Sequence, residues 1–144
     1  MNYSHLLQQP IDYSASFTKA VADLAGAVRA RCPGAVSHSD DMNYSAAQVI
    51  TLQEPNVNDV QYRAYISSRG PVFALIHFER RGGAWHGLGS AGGQHPASCF
   101  REALKERGLH EVAPGDWVTP VPNTARDIDG RPATQFDVLF AEIV

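Results

Sequence analysis

Residues 60–88 read VQYRAYISSRGPVFALIHFERRGGAWHGL. Three runs rich in β-formers, at 60–67, 72–80 and 84–88, are separated by two glycine-bearing breaks. Arg69-Gly70 and Gly82-Gly83 suit tight hairpin turns, because glycine accepts the positive φ that such turns demand. A fourth run at 48–53 precedes them across a turn cluster at 55–59. The pattern predicts an antiparallel meander over residues 47–90.

Upstream of the meander, Phe17, Val21, Leu24 and Val28 recur at helical spacing and predict an amphipathic helix ending near Arg31. Asp12 or Ser14 is placed to cap it, and Pro33-Gly34 to stop it. Residues 35–45 are polar and read as a loop. Beyond the meander, Pro96 opens a second helix that runs to Arg107, with Phe100 and Leu104 inward and Gly108 as its stop. Residues 109–112 are a short strand candidate, and 117–121 an edge strand hemmed by prolines. Residues 123–134 read as a polar loop. A closing strand is expected over 136–143, where Phe136, Val138 and Phe140 alternate with Asp137, Leu139 and Ala141. The expected fold is a single α+β domain over residues 1–144, with two helices on a mainly antiparallel sheet of about five to six strands. The order is α-ββββ-α-ββ(β).

A 144-residue chain that is 44% hydrophobic can fill one core, and 19% charged residues argue against disorder. The net charge is −3 and the 12 basic residues are scattered, so no nucleic-acid partner is expected. No run of apolar residues is long enough for a membrane helix, so no membrane association is expected. Residues 1–12 lack a basic start followed by an apolar run, so the expected location is cytoplasmic. Cys32 and Cys99 are far apart in the chain and read as two free thiols. Neither a metal nor a cofactor is expected.

Turn geometry then places side chains. With Gly82-Gly83 central to their turn, Glu79 opposes His86 and His77 opposes Leu88. With Arg69-Gly70 central to theirs, Tyr62 opposes His77. Opposed residues share a sheet face, so Tyr62, His77, Glu79 and His86 should cluster. An imidazole beside a carboxylate is the raw material of acid–base chemistry, and two histidines with a glutamate can ligate a metal. The alternative is a polar end to an apolar face, with His77 hydrogen-bonded to Tyr62 or Glu79. His38 with Asp40 and Asp41 reads as a solvated turn. Asp127-Ile128-Asp129-Gly130 reads as an Asp-Gly turn, since a calcium loop would want a glutamate where Phe136 stands.

Gly87-Leu88-Gly89-Ser90-Ala91-Gly92 spells G-x-G-x-x-G ahead of a helix, with Glu111 about 20 residues on, where a dinucleotide-binding fold has its ribose-binding acid. The segment before it lacks the apolar run of a buried parallel strand. The helix also opens too late to aim its first turn at a phosphate. A flexible strand-to-helix loop is the expected reading. The same stretch resembles the acyl-CoA loop of GNAT-type acetyltransferases, in which R/Q-x-x-G-x-G/A joins a strand to a helix. That resemblance implies a ligand-binding loop of Gly87, Gly89, Ser90, Gly92 and Gly93 gripping pyrophosphate through backbone N–H groups. Ala84 stands where that family has Arg or Gln.

The same register puts Tyr65, Ile76, Phe78 and Trp85 with Arg63 on the opposite face. Residues 72–78 are apolar on both faces as far as His77, which an antiparallel sheet wetted on one side would not be. Either each helix covers one face, or both share a face and the Tyr65/Ile76/Phe78/Trp85 surface meets a protein partner or a second copy. The expected function is binding without catalysis, as a small protein-protein interaction module of the immunity or accessory type. The alternative is a small-molecule or acyl-CoA-type site at the Gly87–Gly93 loop or at the Tyr62/His77/Glu79/His86 cluster.

Overall fold

The Gly82-Gly83 break sets the sheet. In the computed structural model, which describes residues 2–43, 45–126 and 129–141, these glycines take φ of +59° and +80°. Positive φ at both central residues is what a type I′ hairpin requires. Strands β3 (Val60–Ser67), β4 (Val72–Arg81) and β5 (Ala84–Ser90) consequently run antiparallel. They follow β1 (Ala35–Ser39) and β2 (Ala47–Gln53), which pair with each other and, through β2, with β3. A short β6 (His110–Glu111) adds in parallel to the start of β4. The result is a six-stranded sheet in the order β1-β2-β3-β4-β5, with β6 joined to β4.

Two long helices lie on one face of it. The first, α2 (Ala15–Arg31), follows a four-residue α1 (Ser4–Leu7) and is capped by Ser14, whose side chain accepts a hydrogen bond from Phe17 N at 3.2 Å. That cap satisfies a backbone donor the helix itself cannot. It presents Val21, Ala25 and Val28 to the sheet, and α3 (Ala97–Glu106) presents Ala97, Phe100, Ala103 and Leu104. Both close over Ile50, Leu52, Tyr62, Ala64, Ile66, Phe73 and Leu75 as one apolar core.

The other face is covered by shorter pieces. After α3 the chain forms α4 (Pro114–Trp117), a hairpin of β7 (Pro120–Ala125) and β8 (Pro132–Thr134), and a wide π-type helical turn, Asp137–Ala141. Tyr3, Leu6, Val112, Leu139 and Phe140 pack on Ala47, Val72 and Ala74, with Tyr65, Trp117 and Phe136 at the margin. Residues 72–75 are apolar on both sides because this end of β4 is sandwiched. Beyond Ile76 the second face opens.

Three local expectations are corrected. Residues 35–39 are a strand, not part of a loop. Val36 packs against the core and His38 Nε2 lies 2.7 Å from Gln48 Oε1, while the intervening serines face water. A Ser-rich sequence is tolerated there because β1 is an edge. Residues 136–141 are not a closing strand; Ile143 of that expectation lies outside the described residues. Asp137 accepts bonds from Thr134 N and Thr134 Oγ1, which turns the chain, and Val138, Leu139 and Phe140 are then buried consecutively. A strand, whose side chains alternate, would have pointed Leu139 away from its neighbours. Finally, of the edge strand expected over 117–121, Trp117 instead ends a helix and pairing starts at Pro120, while the stretch expected as a polar loop over 123–134 holds the end of β7 and all of β8. Of the Asp127–Gly130 turn, Asp127 and Ile128 also lie outside the described residues.

Candidate functional site

The hairpin registers assemble the polar cluster on the helix-covered face. Tyr62 opposes His77 and Glu79 opposes His86, as the turns imply. The Tyr62 and His77 rings are tilted with centroids 5.4 Å apart. His77 Nε2 is buried and 3.6 Å from Glu79 Oε1, beyond hydrogen-bond length. Glu79 also pairs with Arg81 at 2.9 Å, and His86 is exposed. Besides Arg81, two residues outside the expected cluster touch it. The Tyr62 hydroxyl reaches Glu54 Oε2 at 3.5 Å and also meets the Gln94 side chain. Burial holds this phenol above its ordinary 10.0, the Gln94 bond opposes the shift, and Glu54 adds to it.

A phenol whose folded pKa is raised favours folding fully below pH 10.0, and the contribution is lost as pH rises through the higher folded value. Denaturant midpoints measured between pH 8 and 11 should therefore fall on the alkaline side, and Tyr62→Phe should flatten that fall. An identical alkaline slope in both proteins would mean that Tyr62 ionises freely.

The glycine run divides into two roles. Gly87 and Gly89 belong to β5 itself, not to a loop. Gly87 opposes Phe78, and a Cβ there would lie 3.3 Å from Phe78 Cε1. Gly89 has φ +91° where the β4–β5 pairing shifts register between Ile76 and Phe78. Such a bulge needs a residue tolerant of positive φ. Both glycines thus serve sheet geometry. Gly92 and Gly93, past the strand, line a cleft of about 430 Å3 with Ser90, Arg101, Lys105 and His110. The cleft exists because β5 leaves β4 after Ser90 while β6 joins β4 at Val72 and Phe73. Arg101 fastens its floor, with Nε 2.7 Å from Glu111 Oε1 and bonds to the carbonyls of Ala91 and Gly92. Lys105 Nζ stands 3.9 Å from Glu111 Oε1.

On the second face, Tyr65 packs against Phe136 with ring centroids 5.9 Å apart, and Ile76 is buried. The remaining interface candidates stay accessible and gain a neighbour. Arg63 Cζ lies 3.9 Å from the Phe78 ring centroid and 6.0 Å from that of Trp85. Arg80, which opposes Trp85 in the register, stacks its guanidinium 4.9 Å from the indole. Arg63 Nε is fixed by Gln61 Oε1 at 2.6 Å. The nearby Glu79, with His77 and its ion-pair partner Arg81, lies on the opposite face. Two guanidiniums therefore share the open half-face with two aromatic rings, and among the described residues no carboxylate pairs with either.

Comparison with protein-family models, curated proteins and solved structures finds no match to this chain. Among the described residues, no helix is long and apolar enough to cross a membrane, and no group of three or more His, Cys, Asp or Glu side chains is arranged to hold a metal ion.

Proposed function

We propose that this chain is a small cytoplasmic protein-binding domain without catalysis, of the immunity or accessory type. Its contact surface is the open half of the second sheet face. The observation that carries this reading is the stacking of Arg63 on Phe78 and of Arg80 on Trp85. Aromatic residues and arginine dominate binding energy at protein interfaces, and rings held by stacking lose little freedom on binding. Two unneutralised guanidiniums on a chain of net charge −3 favour a partner with an acidic patch. A symmetric dimer through this patch would gather four guanidiniums with no carboxylate pairing any of them, which favours a different, acidic protein over a second copy.

A photoreactive residue placed at Thr51, which opposes Arg63, tests this in the native cells. A discrete adduct is expected from Thr51, with none from the same probe at Glu102 on the exposed side of α3. The adduct should vanish in Arg63→Glu/Arg80→Glu. Equal adducts from both positions, or an adduct indifferent to the charge reversal, would count against the proposal.

A second reading, a small-molecule or acyl-CoA-type ligand, is supported by one observation: Gly92 and Gly93 border the cleft with Arg101 and Lys105. Its volume is within the range of ligand sites, roughly 300–1,000 Å3. A rise in melting temperature with CoA, abolished by Lys105→Glu, would favour it over the first.

A further inference from the structure

The fold brings together the two cysteines that the sequence keeps far apart. Cys32 closes the C-terminal end of α2, and Cys99 lies in the first turn of α3. The Cys99 thiol donates at 3.5 Å to the carbonyl of Arg31, the residue just before Cys32, so the two thiols are neighbours across the helix pair. Both side chains belong to the same core, Cys32 at 6% exposure and Cys99 at its half-buried margin. An ion pair between Arg31 and Glu106 ties the same two helices together.

We propose that Cys32 and Cys99 form a modification site for low-molecular-weight disulfides, closing into an intramolecular disulfide that staples α2 to α3. Entry is at Cys99, the more accessible thiol. Its thiolate attacks one sulfur of a disulfide such as oxidised glutathione, releasing the first glutathione and leaving a mixed disulfide on Cys99. Cys32 loses its proton and attacks the Cys99 sulfur, expelling the second glutathione. Two protein S–H bonds are lost, one S–S bond forms, and one molecule of oxidised glutathione is reduced to two thiols.

Burial and the neighbouring Cys99 push the Cys32 thiol up to about 12, against the opposing charge of Arg31. The second step is therefore the slow one. A reduced form that gains nothing from thiolate stabilisation also leaves the closed disulfide resistant to reduction. Because both helices lie on the face opposite Arg63 and Trp85, this site is independent of the proposed binding surface.

The reduced full chain, incubated with oxidised glutathione and analysed by non-reducing mass spectrometry, tests it. The expected product is lighter by two hydrogen atoms, contains a peptide linkage between positions 32 and 99, and melts about 10 °C higher than the reduced protein. Cys32→Ala should stop at a stable glutathione adduct on Cys99, and Cys99→Ser should resist oxidation. A wild-type protein that also stops at the adduct, or that keeps both thiols open to alkylation after denaturation, would overturn the proposal.

Discussion

Phe100→Ala is expected to lower the unfolding free energy by about 3–5 kcal/mol, the largest stability loss of any single truncation on α3. The ring is fully buried and lies between the helix and the first sheet face, packed in one core with Leu75, Phe73 and residues of α2. Truncation removes its transfer free energy and leaves a cavity that strands on one side and a helix on the other cannot collapse to fill. With total stabilities of about 5–15 kcal/mol, that loss would leave a marginal fold. Urea unfolding should show a lower midpoint with an unchanged slope. Val118, 72% exposed, provides the contrast, since its truncation should stay within about 0.5 kcal/mol. Equal costs at the two positions would mean that α3 is not seated on the sheet.

The meander was readable because local chemistry specified it twice. Alternation marks 60–67 and a density of β-formers marks 72–80, and the Gly82-Gly83 turn fixes the Glu79–His86 and Phe78–Gly87 pairings on either side of it. With the register of the Arg69-Gly70 turn added, Tyr62 and His77 fall together, as do Arg63, Phe78 and Trp85. Arg80 was equally accessible to the same arithmetic, since it opposes Trp85 across the turn, and composition hid it as one more surface charge. Residues 35–39 alternate too, but serines at every second position disguised an edge strand as a loop.

What the sequence withheld is nonlocal. Whether the second face is covered depends on where Tyr3, Leu6 and Phe140 dock, and no periodicity in residues 1–12 or 109–144 encodes that. Phe136, Val138 and Phe140 satisfy a strand pattern as well as they satisfy a helical turn. The short-range bonds between Asp137 and Thr134 choose between them. The meeting of Cys32 with Cys99 likewise follows from helix docking. The G-x-G-x-x-G run shows the converse: a chemically suggestive spacing can arise from a close approach to Phe78 and a bulge at Gly89.

The open half-face makes the second large prediction. Trp85 is half-buried at the sheet edge and is held by Arg80, so it supports little of the core but offers a preorganised ring to a partner. Truncating a central tryptophan of an interface typically costs 2 kcal/mol or more, which is roughly a thirtyfold loss of affinity. Losing one exposed cation–π contact costs the fold only about 0.5–1 kcal/mol. The two quantities therefore separate at this residue, whereas at Phe100 they would fall together. The deciding measurement is the affinity of Trp85→Ala for the cross-linked partner, taken alongside its urea midpoint. Binding should weaken at least about thirtyfold while stability falls by no more than about 1 kcal/mol. Unchanged affinity, or a loss of binding matched by a core-sized loss of stability, would contradict it.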